Sequence, residues 1–168
     1  MKKLSILIIV STLIACSSQV SREKAIEFKE NILKVSEYNH LTFQPFIDET
    51  TIEVVNFNNN QNCEIDFIKI NNLLEAATST NKNALQMLTL IKEIDEDINL
   101  KSNYEIYLNT ESEVLNEFKT FFQTLEKTRD TDKIILIRDK ALDKLKLMKK
   151  REVFIKEAQE CLNQKYKL

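Results

Sequence analysis

A few sets of side chains have types and spacings that chemistry could use. Glu37 and His40 form Glu-x-x-His, a spacing that puts both on one helical face. Di-iron helical bundles use that pair twice and add two further glutamates. Here the pair occurs once and His40 is the only histidine, so a metal centre of that kind lacks half its ligands. Haem ligation would have to join His40 to Met87 or Met148. Ser21-Arg22-Glu23-Lys24 has the bare Ser-x-x-Lys spacing of penicillin-binding enzymes, without their Ser-Asp-Asn or Lys-Thr-Gly companions. Ser21 is expected to cap a helix. Cys63 and Cys161 stand too far apart for a dithiol motif. Carboxylates such as Glu93 with Asp97, or Asp95 with Glu96, would need a sugar cleft with aromatic walls to act as a glycosidase pair. They are expected on a solvated face, and the chain has no tryptophan. Phe118, Phe121 and Phe122 could line a ligand pocket or a partner groove, but at helical spacing a place in the core is expected. The expectation is no enzyme, no metal and no cofactor.

The elements that must position these residues are bounded by composition. Glycine is absent and Pro45 is the only proline. Phosphate-cradling loops and dinucleotide fingerprints need glycine for tight turns and close backbone approach. The nucleophile elbow needs it as well, and two-residue hairpins favour Asn-Gly or Asp-Gly. Asparagine is plentiful and can take the left-handed position at helix ends. The fold class expected is all-α, an up-down bundle of four to five helices over residues 21–168. The formal charge is −2, so the chain is a poor candidate for nucleic acid, whose phosphates call for clustered Lys and Arg. Lys149-Lys150-Arg151 has acids nearby and reads as a solvated helix face.

Apolar spacing of three and four locates the helices. The first is expected over 21–38, with Ala25, Phe28, Ile32 and Val35 inward. Residues 41–62 stay open between strand, helix and loop, because Pro45 and the β-branched run from Thr50 pull in different directions. A second helix is expected over 63–77 and a third over 84–100, with a turn at 78–83 made of Thr, Ser and Asn. Lys101-Ser102-Asn103 is the next expected break. Thr110 and Glu113 have capping-box spacing ahead of a fourth stripe, Val114, Phe118, Phe121 and Leu125. Residues 129–132 break the chain again. A last helix is expected over 133–165, with Ile134, Ala141, Met148, Ile155 and Leu162 in phase.

The leader carries the one resemblance. Lys2 and Lys3 precede an apolar run from Leu4 to Ile14, and a small residue, Ala15, stands before Cys16. This is a secretory signal layout. The run is shorter than the ~20 residues a spanning helix needs. Leu13-Ile14-Ala15-Cys16 resembles the lipobox of bacterial lipoproteins. That resemblance implies removal of residues 1–15 and a diacylglyceryl thioether on Cys16, with a third acyl chain on the new amino terminus in many Gram-negative bacteria. It leaves residues 16–20 as a lipidated tether. Ser17 in the next position implies sorting to the outer membrane, with the domain facing the periplasm.

An exported chain meets oxidising conditions, so with Cys16 taken by lipid, Cys63 and Cys161 are expected to form a disulfide. They lie at one end of a bundle only if all three intervening breaks reverse the chain. With two reversals they lie at opposite ends. Two functional readings follow. One is a protein-interaction module at the membrane, such as an envelope scaffold, an inhibitor or an immunity-type binder. The other is a carrier of lipid or another small apolar ligand.

Overall fold

Each long stretch of three-four apolar spacing is helical, and only some of the polar runs between them end a helix. The computed structural model contains α1 (Lys2–Asn59), α2 (Phe67–Leu90), α3 (Leu100–Lys127) and α4 (Thr131–Tyr166). The structure describes the backbone of residues 2–59, 64–94 and 98–168, and the side chains of these from Arg22 onward. No strand occurs among the described residues. Two helices start on aspartate caps. Asp66 accepts from the Lys69 amide at 2.9 Å, and Asp130 accepts from the Lys133 amide at 3.2 Å. Each cap meets one of the amides that a first helical turn leaves without a carbonyl. Asn99, just before α3, sits in the left-handed region with φ 56°. Asparagine tolerates that conformation, and a chain without glycine uses it.

Four helices occur among the described residues, within the expected four to five, but several expected boundaries move. Residues 41–59 continue α1. Pro45 lies inside that helix and is exposed, as is Leu41 four residues earlier. The carbonyl deprived of its amide partner is therefore on the wet side, where water can meet it. The turn expected at 78–83 is the middle of α2. Instead of breaking at 101–103, the chain leaves α2 after Leu90 and enters α3 at Leu100, so Lys101 to Asn103 belong to α3. Thr110 is inside α3 rather than at its cap, and its hydroxyl donates to the Ile106 carbonyl at 2.8 Å. The break near 128–130 stands where polar residues predict it. The backbone of residues 16–20, expected as a tether, is part of α1.

Two apolar clusters fill the interior. The first joins Phe57 near the end of α1, Ile70 near the start of α2, Leu125 near the end of α3 and Ile134 near the start of α4. The second joins Phe28 of α1, Leu88 near the end of α2, Leu100 at the start of α3 and Leu162 near the end of α4. Successive helices therefore run antiparallel. Phe46 packs edge-on to Phe118 at 5.9 Å and 80°, and Phe121 and Phe122 lie 5.0 Å apart. All four rings are buried. Full burial of such a side chain is worth about 1.5–3 kcal/mol, which is why the phenylalanine stripe is core and not a groove. α1 packs on α2, α2 on α3, and α3 on α4, while α1 and α4 touch at few points.

The disulfide expectation finds no support in this order. Only two reversals separate α2 from α4. Cys63 itself lies outside the described residues, but Glu64 next to it leads into the start of α2. Cys161 neighbours Leu162, which is level with the far end of α2. At 1.5 Å rise per residue the two ends are roughly 30 Å apart. A bridge needs Cα atoms within about 7 Å. Cys161 carries a free, exposed thiol. A maleimide reagent should therefore label Cys161 in the native protein without reductant. An unreactive native chain that gains two thiols on reduction would restore the bridge.

Candidate functional site

Where the two apolar clusters meet, α3 turns an ionisable residue inward. Glu111 is fully buried, one turn past Leu108 and one turn before Leu115. The Asn39 side-chain amide of α1 donates to both of its carboxylate oxygens, at 2.9 and 2.8 Å. The Asn81 amide of α2 donates to the first oxygen at 3.0 Å, and to the Leu108 carbonyl at 3.0 Å. The Ser112 hydroxyl donates to the side-chain oxygen, Oδ1, of Asn81. One carboxylate thus gathers amide donors from two other helices. Every N–H of both amides is used. The exception to this economy is Asn39 Oδ1, which is buried and has no partner.

Burial pushes the Glu111 carboxyl up to about 7, against the lowering effect of the Asn39 and Asn81 amides. Desolvation outweighs hydrogen bonding here because a charge leaving water loses more than neutral donors return. The orientation of Asn39 follows from the charge. With Glu111 ionised, only the amide nitrogen can face it. The reverse orientation would set oxygen against oxygen, and suits only a protonated Glu111, which can donate to Asn39 Oδ1.

Asn39 also lines a groove of about 300 Å³ in the loosely packed seam between α1 and α4. Two hydrogen bonds cross the seam on either side of it. Lys29 Nζ donates to Asn163 Oδ1 at 2.9 Å, and Arg138 donates to Asn58 Oδ1 at 2.6 Å. The floor includes Tyr104 and Tyr107, stacked at 5.8 Å with 24° between their planes. Burial raises the Tyr104 hydroxyl to about 12. It raises Tyr107 further, helped by the carboxylates of Glu111 and Glu152.

The residues singled out by sequence are scattered over this frame. His40 and Glu37 are exposed on α1, and His40 alone of the two reaches the groove. Among the described residues no three His, Cys, Asp or Glu side chains converge as metal ligands would. Lys24 is exposed, and α1 runs through Ser21 rather than starting there. The side chains of Cys16 and Ser21 lie outside the described residues, as do Asp95, Glu96 and Asp97. Glu111, Asn39 and Asn81 were not anticipated. Their one sequence signal is a polar residue standing at a core position of an apolar stripe, as Glu111 does between Leu108 and Leu115.

Fold and site define an antiparallel four-helix bundle, pinned at its middle by a buried carboxylate held between amides of two other helices. No family model, curated protein or solved structure matches the chain.

Proposed function

We propose that the protein is a lipid-anchored interaction module, held to the outer membrane through Cys16 and presenting its bundle to a protein partner in the periplasm. The observation that carries the reading is the outward side of the two helices that flank the loose seam. On α1, Leu41 is 74% and Ile52 53% exposed. On α4, Leu136 is 72% and Phe154 49% exposed, with Leu147 between them. Spacings of eleven and seven residues keep each set in line; Leu41, Ile52 and Leu136 lie opposite the buried stripe, and Leu147 and Phe154 lie at its flank. Single apolar residues scattered over a surface need no explanation; the reading rests on these lying in rows on two neighbouring helices.

The lipidated cysteine supplies location. Two or three acyl chains on one residue give essentially permanent attachment, at about 0.8 kcal/mol per buried CH₂. No described helix is long and apolar enough to cross a membrane. The carrier reading needs an apolar channel, and the described interior is occupied by the side chains of the two clusters. A catalytic role is not proposed, because Glu111, the carboxyl that burial raises to about 7, is enclosed on all sides.

The test combines anchor and surface. Cys16→Ser should lose incorporation of an alkyne-tagged palmitate and leave the membrane fraction. Leu41→Gln, Leu136→Gln and Phe154→Gln, combined in one chain, should change stability by no more than about 0.5 kcal/mol each. The combined variant should lose a partner that the native chain captures in a cross-linked pull-down from its own membranes. Full capture by the variant would sink the surface assignment. Palmitate label on the serine variant would sink the anchor.

A further inference from the structure

The closed bundle holds Glu111 out of water, and its clamp is unequal on the two sides. Asn81 of α2 ties Glu111, the Leu108 carbonyl and Ser112 together. The Asn39 side chain of α1 bonds only to the two Glu111 oxygens, and its own Oδ1 is buried without a partner. The stretch of α1 that carries Asn39 is also the least fastened. Lys29 and Asn58 bond across the seam to α4, at Asn163 and Arg138. Between them, no hydrogen bond or ion pair joins the described residues of α1 to α4, and the groove of about 300 Å³ fills that gap. Pro45, a little further along α1, has no N–H for the Leu41 carbonyl, so the helix lacks one of its own bonds there.

Glu111 has no cation to answer it. α1 and α2 offer it neutral amides. α3 sets Tyr104 and Tyr107 near it, with hydroxyls that burial keeps protonated. On α4, Glu152 is half-buried and acts on the same Tyr107 hydroxyl, while His40 of α1 and Lys156 of α4 stand exposed at the groove. An ionised Glu111 therefore regains hydration only if the helices part, and the side with the fewest ties is the α1–α4 seam. We propose that ionised Glu111 drives a local opening of α1 along this seam, with Pro45 as the weak point, and that proton uptake by the carboxyl closes it. Raising pH favours the opening, because the closed form holds a proton that the opened form, with its carboxyl in water, gives up. The opening involves neither the lipid anchor nor a partner.

Hydrogen exchange of the full chain, native and Glu111→Gln, tests this at about pH 5.5 and about pH 8, with rates corrected for the intrinsic effect of pH on exchange. In the native chain the amides of residues 39–46 should lose about tenfold in protection at the higher pH. There they should also exchange well ahead of the amides of residues 108–115 in α3. Glu111→Gln keeps His40, Glu152 and Lys156, and should hold residues 39–46 at the same protection at both pH values. The proposal is overturned if residues 39–46 of the native chain keep their protection, or if Glu111→Gln loses it to the same extent. Equal protection of residues 39–46 and 108–115 at the higher pH would also overturn it, since that marks global unfolding alone.

Discussion

Between about pH 5 and pH 8 the unfolding free energy of the native chain should fall by about 2–3 kcal/mol relative to that of Glu111→Gln. The sign follows from linkage. An unfolded Glu111 carboxyl titrates near 4.5, and the folded one near 7. Between those values the folded state holds a proton that the unfolded state has released. Raising pH strips that proton and costs stability. The contribution is complete below 4.5 and is lost as pH rises through 7, the reverse of a salt-bridged carboxylate. Glutamine has the same shape and no charge to desolvate. Its amide also gives the unpartnered Asn39 Oδ1 a donor once the Asn39 side chain reverses. The variant should therefore be the more stable protein at pH 8 and nearly equal at pH 5. Parallel curves for the two proteins would mean that Glu111 titrates as it does in water.

Phe118→Ala should lower the unfolding free energy by about 3–5 kcal/mol, read from the urea midpoint at unchanged slope. Phe118 is 1% exposed and touches three rings, Phe46, Phe121 and Phe122. Deleting its ring loses transfer energy and leaves a hole that four antiparallel helices cannot close. Against a typical stability of about 5–15 kcal/mol that is a large share. Phe118→Leu fills most of the space and should cost about half as much. A loss below about 1 kcal/mol for the alanine variant would mean that the ring is not part of a packed core.

Much of the inward face was legible in sequence, because burial leaves a period of three to four whatever the helix ends do. Ala25, Phe28, Ile32, Val35, Phe118, Met148 and Leu162 are buried as their spacing predicts. The boundaries were less legible, for a reason the site explains. Thr80 and Asn81 look like turn residues because they compete for backbone hydrogen bonds. Here Asn81 spends its amide on Glu111 and the Leu108 carbonyl, across a helix interface, so α2 continues through it. That partner lies thirty residues away in sequence. The same error split one helix into two and added a reversal that the chain does not make. Pro45 misled in the same local way, since its cost depends on which side of the helix faces water. A buried Glu with two Asn clamps leaves one local trace, a polar residue in phase with an apolar stripe, and nothing that names its partners. It is visible only when three helices are laid side by side.

The most direct test of the interaction reading is a photo-cross-linking amino acid placed singly at Leu41, Leu136, Phe154 and, as a control, the exposed Lys119 of α3, in cells making the lipidated protein. A discrete adduct of one mass is expected from the first three positions and none from Lys119. No adduct at any of the three, or the same smear from all four, would contradict it.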